Sequence, residues 1–149
     1  MPTVVQDLWD GLGEIRSTRS FNAGSCLFAE GDPSSCVYLI ESGQVRIEIT
    51  DDRGRTRILS MAGPGTLLGL SEAVGGELHK VSVLSVGQTE TSYVRRTDLL
   101  EFLVKQPRLC MEIVRLLSED LHCLYQEFRH LQATPGVRVR RRTADGRFQ

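Results

Sequence analysis

Clustered cysteine is the first thing this chain lacks. Its four cysteines, Cys26, Cys36, Cys110 and Cys123, form no CxxC pair and show no metal-site spacing. Cys110 and Cys123 fall on one predicted helix thirteen residues apart. That is about 20 Å at about 1.5 Å per residue, too far to share a metal within one subunit. They read as reduced thiols used as small hydrophobes, with a redox role for Cys26 or Cys36 as the alternative. No apolar run approaches the roughly 18 residues of a membrane span. Nor does Met1-Pro2-Thr3-Val4-Val5-Gln6-Asp7 put a basic region before an apolar stretch, as a secretion signal does. A cytoplasmic location without membrane contact is the expectation. Also missing are a nucleophile–base arrangement, a P-loop and a dinucleotide fingerprint, so no enzyme is expected. Neither sign of charge dominates: the net charge is −1. It is uneven, however, because residues 134–149 hold five Arg and one Asp, leaving thirteen bases against eighteen acids in residues 1–133. An acidic body is a poor general partner for nucleic acid.

What is there fits one domain with a sizeable core: 149 residues, 40% hydrophobic and 25% charged. Val5, Leu8, Trp9 and Leu12 share one side of a short predicted helix from about Val4, which stops at Gly11-Leu12-Gly13. From Ile15 to about Val94 the chain turns β-like, in short apolar or alternating segments separated by turn signals. Cys26-Leu27-Phe28 and Val37-Tyr38-Leu39-Ile40 flank the turn Gly31-Asp32-Pro33-Ser34-Ser35. Val45-Arg46-Ile47-Glu48-Ile49 alternates cleanly, then Asp51-Asp52-Arg53-Gly54 turns the chain into Thr56-Arg57-Ile58-Leu59. Val81-Ser82-Val83-Leu84 and Thr91-Ser92-Tyr93-Val94 complete a jelly-roll-type β-barrel, a mainly β fold with flanking helices.

Ahead of these two strands lies Gly69-Leu70-Ser71-Glu72-Ala73-Val74-Gly75-Gly76, followed by His79-Lys80-Val81-Ser82. A short Gly-bounded helix between strands is how a small barrel builds an anion cradle. Ser71 is the expected N-cap, with Glu72 in the first turn. His79 and Lys80 together would make a small cationic mouth over an anionic metabolite.

These residues carry a specific resemblance. Phe21-Asn22-Ala23-Gly24-Ser25-Cys26-Leu27-Phe28-Ala29-Glu30-Gly31-Asp32, Val37 to Val45, Gly63-Pro64-Gly65 and Leu68-Gly69 resemble a cyclic-nucleotide-binding domain. More particularly, the chain from about 8 to 131 is similar to the sensor half of the Crp/Fnr superfamily of bacterial transcription regulators. The resemblance implies a β-barrel with its N-terminal helix over 1–106, a long dimerisation helix over 107–133 and a basic tail, expected to be disordered, over 134–149. It also implies a cradle reading Gly-Glu-Leu, closed by Arg-Ser or Arg-Thr: the Glu accepts a ribose hydroxyl and the Arg pairs with the cyclic phosphate.

Here the cradle departs from that pattern. Aligned without gaps on Gly69, the Glu position is Leu70, the Arg position Lys80 and the Ser/Thr position Val81. Leu cannot accept a hydroxyl proton, and Lys lacks the guanidinium fork that suits a phosphate. The Thr-Ser pair that reaches adenine in cyclic AMP-binding activators corresponds to Leu124 and Tyr125. Sliding by two puts Glu72 in the Glu role but needs an indel and still leaves no Arg. The altered cradle is closer to the Fnr-like branch. An Fnr-type iron–sulfur centre needs clustered cysteines ahead of the barrel, and residues 1–25 have none. Haem-binding relatives ligate from such regions, which makes His79, near the cradle, and His122 and His130, on the long helix, candidate ligands; otherwise His79 is a solvated loop residue.

The last helix carries the clearest period. Cys110, Val114, Leu117, Leu121, Leu124, Phe128 and Leu131 follow at spacings of 4, 3, 4, 3, 4 and 3, an a/d seam of about three heptads. Leu109, Ile113 and Leu116 form a second stripe facing the barrel. One helix cannot bury both stripes on its own barrel, so the seam predicts a homodimer. After Thr134-Pro135-Gly136 thirteen residues remain, too few for a helix-turn-helix, so this chain alone is not expected to read DNA sequence. Three readings follow. One is a non-catalytic sensor dimer for a small, anionic effector that is not standard cyclic AMP. A second is an interaction module pairing with a full-length regulator. The third is a cyclic-nucleotide or haem/gas sensor; no cofactor is assigned.

Overall fold

A computed structural model describes residues 3–131, with side chains from Val5 to Glu119 and at His122, Tyr125, Gln126 and Arg129. The basic tail over 134–149 lies outside the described residues, as do the side chains of Leu121, Cys123, Leu124, Phe128, His130 and Leu131. The chain forms two compact units, one through Met111 and one from Glu112 onward.

The first unit opens with α1 (Thr3–Leu12) and a single 3₁₀ turn, Gly13–Ile15. Eight strands follow: β1 Ser17–Phe21, β2 Cys26–Phe28, β3 Cys36–Ser42, β4 Val45–Thr50, β5 Thr56–Ala62, β6 Leu67–Leu68, β7 Ser82–Ser85 and β8 Thr89–Arg95. They form two antiparallel four-stranded sheets, ordered β1-β8-β3-β6 and β2-β7-β4-β5. Non-consecutive neighbours in both sheets give the jelly-roll topology expected from the strand spacing. The short helix α2 (Leu70–Gly75) bridges β6 and β7, and α3 (Arg96–Val104) continues directly from β8.

Alternation along the strands decides where the core sits. Phe21, Leu27, Phe28, Tyr38, Ile40, Val45, Leu68 and Val83 form one buried cluster between the sheets. Residues Val37–Ile40 of β3 are all buried, so this strand is covered on both faces. Tyr38 and Ile40 point into the inner cluster, hence Val37 and Leu39 point outward. The outer face is closed by α1, whose Val5, Leu8, Trp9 and Leu12 are buried, as their spacing predicts. Trp9 Nε1 donates to Ser92 Oγ at 2.6 Å, and that hydroxyl donates to Glu41 Oε1 at 2.7 Å. Ser92 lies opposite Leu39 in the β3–β8 register, so α1 is bonded to the sheet it covers.

β1 is a strand that the alternation pattern does not announce. Four of its five residues are exposed and only Phe21 is buried. Its place is set by pairing with β8, from Ser17 opposite Tyr93 to Phe21 opposite Thr89. The cysteines also differ from expectation. Cys26 and Cys110 are exposed, so neither acts as a buried hydrophobe, whereas Cys36 is half-buried against the inner cluster. All three are free.

The helix α4 spans Pro107–Leu131 without a break. Of the seam, Cys110 and Val114 are exposed and Leu117 is half-buried. Among the described residues, no helix is long and apolar enough to cross a membrane.

Candidate functional site

The cradle begins with backbone geometry. Gly69 holds φ 85°, in the left-handed region, and is the N-cap of α2, with no side-chain cap bond. Ser71 is therefore not the N-cap; it lies inside the first turn and is exposed. The reason is steric: a Cβ on Gly69 would come within 3.3 Å of His79 Cε1 and 3.4 Å of the Cys36 carbonyl oxygen. A sharp turn that close to backbone and ring selects glycine, and the helix starts from there.

At its other end α2 is held by Arg96. The guanidinium donates through Nε to the Ala73 carbonyl at 2.7 Å, satisfying an acceptor that the helix end leaves free. The Glu77 N–H closes the turn on the Glu72 carbonyl at 3.0 Å. Neither Arg96 nor its role has a local signal, because Ala73 is 23 residues away in sequence.

The segment after α2 is fastened to the turn that follows β2. His79 N–H donates to the Asp32 carbonyl at 2.9 Å, and Gly31 N–H donates to the His79 carbonyl at 2.8 Å. The Ser82 hydroxyl accepts the Glu30 N–H at 2.9 Å, and Val81 packs against the inner cluster. Val81 and Ser82 are thus engaged in holding the segment.

His79 is no solvated loop residue. Its side chain is 2% exposed, and its ring lies flat on Phe28, with centroids 3.7 Å apart and planes 17° off parallel. Its Nδ1 is buried with no hydrogen-bond partner; the Oε1 of Glu72, a half-buried carboxylate, stands 3.7 Å away. Lys80, by contrast, is exposed and pairs with Glu77 at 3.3 Å. The structure brings together Gly69, Glu72 and His79 with Phe28, and it separates the buried imidazole from the exposed ammonium. Leu70 is buried at 6% exposure, in the first turn of α2. On α4, His122 is exposed with Nε2 3.3 Å from the Gln126 amide, and Tyr125 is exposed.

Two ionisable groups near the Phe28 side of the barrel are perturbed. Burial pushes the Tyr38 phenol up, with Cys36 adding to it and Arg19 partly opposing it. Partial desolvation raises the Cys26 thiol, and the Asp32 and Glu48 carboxylates raise it further. Both groups are therefore protonated near neutral pH, and Cys26 is a weak nucleophile despite its exposure. Among the described residues, no group of three or more metal-type ligands converges.

Against known proteins, the family described as "Cyclic nucleotide-binding domain" matches residues 18–106. The chain is similar to the cyclic AMP receptor protein of Thermus thermophilus, 30% identical over 103 residues, which cover 69% of this chain and 48% of that one. It is also similar to mouse patatin-like phospholipase domain-containing protein 7, 27% identical over 99 residues, covering 66% of this chain and 7% of that protein. The crystal structure of the Thermus thermophilus catabolite activator protein superposes with a TM-score of 0.74 at 27% identity, over 88% of this chain and 60% of that one. The chain thus spans about half of the receptor protein and a small part of the phospholipase-domain protein. With the matched family covering β1 through α3 and the cradle in its place between β6 and β7, the chain belongs to the cyclic nucleotide-binding domain family, in its Crp/Fnr type.

Proposed function

We propose that this chain is a non-catalytic sensor module whose cradle takes a small anionic effector other than cyclic AMP, and which dimerises through the α4 seam. The observation that carries this reading is Leu70, buried in the first turn of α2, where the family's nucleotide binders place a ribose-accepting Glu. A ribose hydroxyl buried there loses its acceptor, at about 1–3 kcal/mol. That alone weakens binding by roughly 5- to 150-fold. Lys80 keeps one positive charge on the solvent side of the segment after α2, and its exposed pair with Glu77 is of the kind worth only about 0–1 kcal/mol, so an anion competes for it readily. Leu124 and Tyr125, in place of the adenine-reading pair, point the same way. Effector binding would bias the two long helices of a dimer between arrangements, a population shift.

Native mass spectrometry of the gently purified protein, without and with cyclic AMP, tests the reading. A dimer carrying an additional small mass supports it and weighs the effector. A clean dimer indifferent to cyclic AMP supports the interaction module that pairs with a full-length regulator. One cyclic AMP per subunit would show the argument from Leu70 and Lys80 to be wrong. For the seam, the paired substitution Leu121→Glu and Leu124→Glu is expected to give a monomer by light scattering; an unchanged size would make the seam intramolecular.

A further inference from the structure

We propose that the cradle has a second input, a proton: protonation of His79 at Nδ1 clamps α2 onto the segment leading into β7. The inference rests on the reading of the cradle as the effector site and assigns a regulation to it. Nδ1 is buried, bonded to nothing, and faces Glu72 Oε1 at 3.7 Å, beyond the reach of a hydrogen bond. A buried polar atom left unpaired calls for an explanation. Phe28 covers the ring face and Gly69 closes on Cε1, so a proton is the ligand that reaches this atom without displacing either.

The charged ring has two partners already in place. The Glu72 carboxylate becomes a charge-assisted acceptor once the pair closes from 3.7 Å to the about 2.8 Å of such a bond. The Phe28 face, 3.7 Å below, attracts a cation laid on it. Both backbone groups of His79 are fixed by Asp32 and Gly31, so the movement falls on Glu72 and the helix that carries it. The other ionisable groups around the ring are otherwise engaged or lie to one side. Asp32 accepts the Ala29 N–H at 3.2 Å, Glu30 accepts the Thr50 N–H at 3.0 Å, and Glu77 pairs with Lys80. Arg96 is spent on the Ala73 carbonyl, and Cys36 approaches Gly69 through its backbone carbonyl. Among the described residues, Glu72 is the carboxylate paired with this imidazole. Protonation also adds a positive charge beneath the cradle, which couples an anionic effector to acid.

The test is a ring-nitrogen NMR titration of the full chain, labelled at histidine and at backbone amides, from about pH 5 to 8 with no effector added. Exposed His122 serves as the internal reference. The expected result is that the His79 ring becomes doubly protonated and that the amides of Leu70–Gly75 shift with the same midpoint. In Glu72→Gln the midpoint moves to lower pH while that of His122 stays. A ring that remains neutral, α2 amides that ignore its titration, or a midpoint indifferent to Glu72→Gln would overturn the proposal. Should Glu72→Gln fail to fold, the wild-type ring and α2 amides decide. Because no effector is present, failure here leaves the effector reading standing, and a cradle that binds no small anion leaves this titration unchanged.

Discussion

Replacing Gly69 with alanine separates two costs that the cradle combines. The first is conformational: Gly69 sits at φ 85°, and an L-residue in the left-handed region costs roughly 1–2 kcal/mol. The second is contact: the new Cβ would meet His79 Cε1 at 3.3 Å and the Cys36 carbonyl oxygen at 3.4 Å. Neither yields easily, because the ring is stacked on Phe28 and bonded through both backbone groups, while the carbonyl belongs to β3. Overpacking of this kind adds about 1–2 kcal/mol, near the lower end of its range. Gly24 provides the control, with φ 80° and nothing within 4 Å of its Cβ position. At about 2–4 °C per kcal/mol for a chain of this size, Gly24→Ala lowers the melting temperature by about 2–8 °C and Gly69→Ala by about twice as much. Circular dichroism melts of the two variants, with urea titrations to check that the m-value is unchanged, read the difference. Adding His79→Ala removes the crowding partner, so the double variant is expected to lose less than the sum of its singles, by about 1 kcal/mol. Equal losses for Gly69→Ala and Gly24→Ala, or strict additivity with His79→Ala, would refute the picture of a fixed ring pressed under Gly69.

Other consequences are open to direct measurement. Trp9→Phe removes the donor to Ser92 from a site 1% exposed and leaves a small void; a loss of about 2 kcal/mol in urea unfolding is expected, and an unchanged midpoint would mean that α1 is not anchored there. Arg96→Ala leaves the Ala73 carbonyl unsatisfied, so α2 amides should exchange faster by roughly 5-fold, about 1 kcal/mol, while those of β4 are unaffected. Desolvation and the Asp32 and Glu48 carboxylates raise the Cys26 thiol, which lowers its thiolate fraction at neutral pH. Mass-resolved alkylation should therefore label Cys26 more slowly than an unstructured cysteine peptide at neutral pH, with the gap narrowing as the pH is raised; faster labelling would contradict the shift.

Much of the barrel was legible because its strands obey local rules. Val45 to Ile49 alternates over a half-buried strand, Val37 to Ile40 is apolar throughout because both its faces are covered, and Asp51 to Gly54 turns where the side chain accepts the N–H groups of Arg53 and Arg55. Helix α1 shows its buried side through the spacing of Val5, Leu8, Trp9 and Leu12. β1 escaped because a strand exposed along four of its five residues has no pattern to read; its partner places it. Within the cradle, the Gly boundaries and the short helix were readable, whereas its cap was not. Ser71 has the chemistry of an N-cap, but the close approach of His79 and Cys36 puts the turn at Gly69.

The amino-acid order thus settled by itself what depends on neighbours a few residues away: strand periods, turns, and a short glycine-bounded helix in the cradle. Tertiary structure alone decided what depends on residues far apart in the chain. It laid Phe28 under His79, joined Trp9 to Ser92 across 83 positions, brought Arg96 to the end of α2, and sent Lys80 outward to Glu77 while burying the histidine beside it. The physical reason is that burial and stacking belong to the packed fold. Two adjacent residues, His79 and Lys80, look alike as a basic pair in sequence, yet the packed segment lays one on Phe28 inside the barrel and leaves the other exposed beside Glu77.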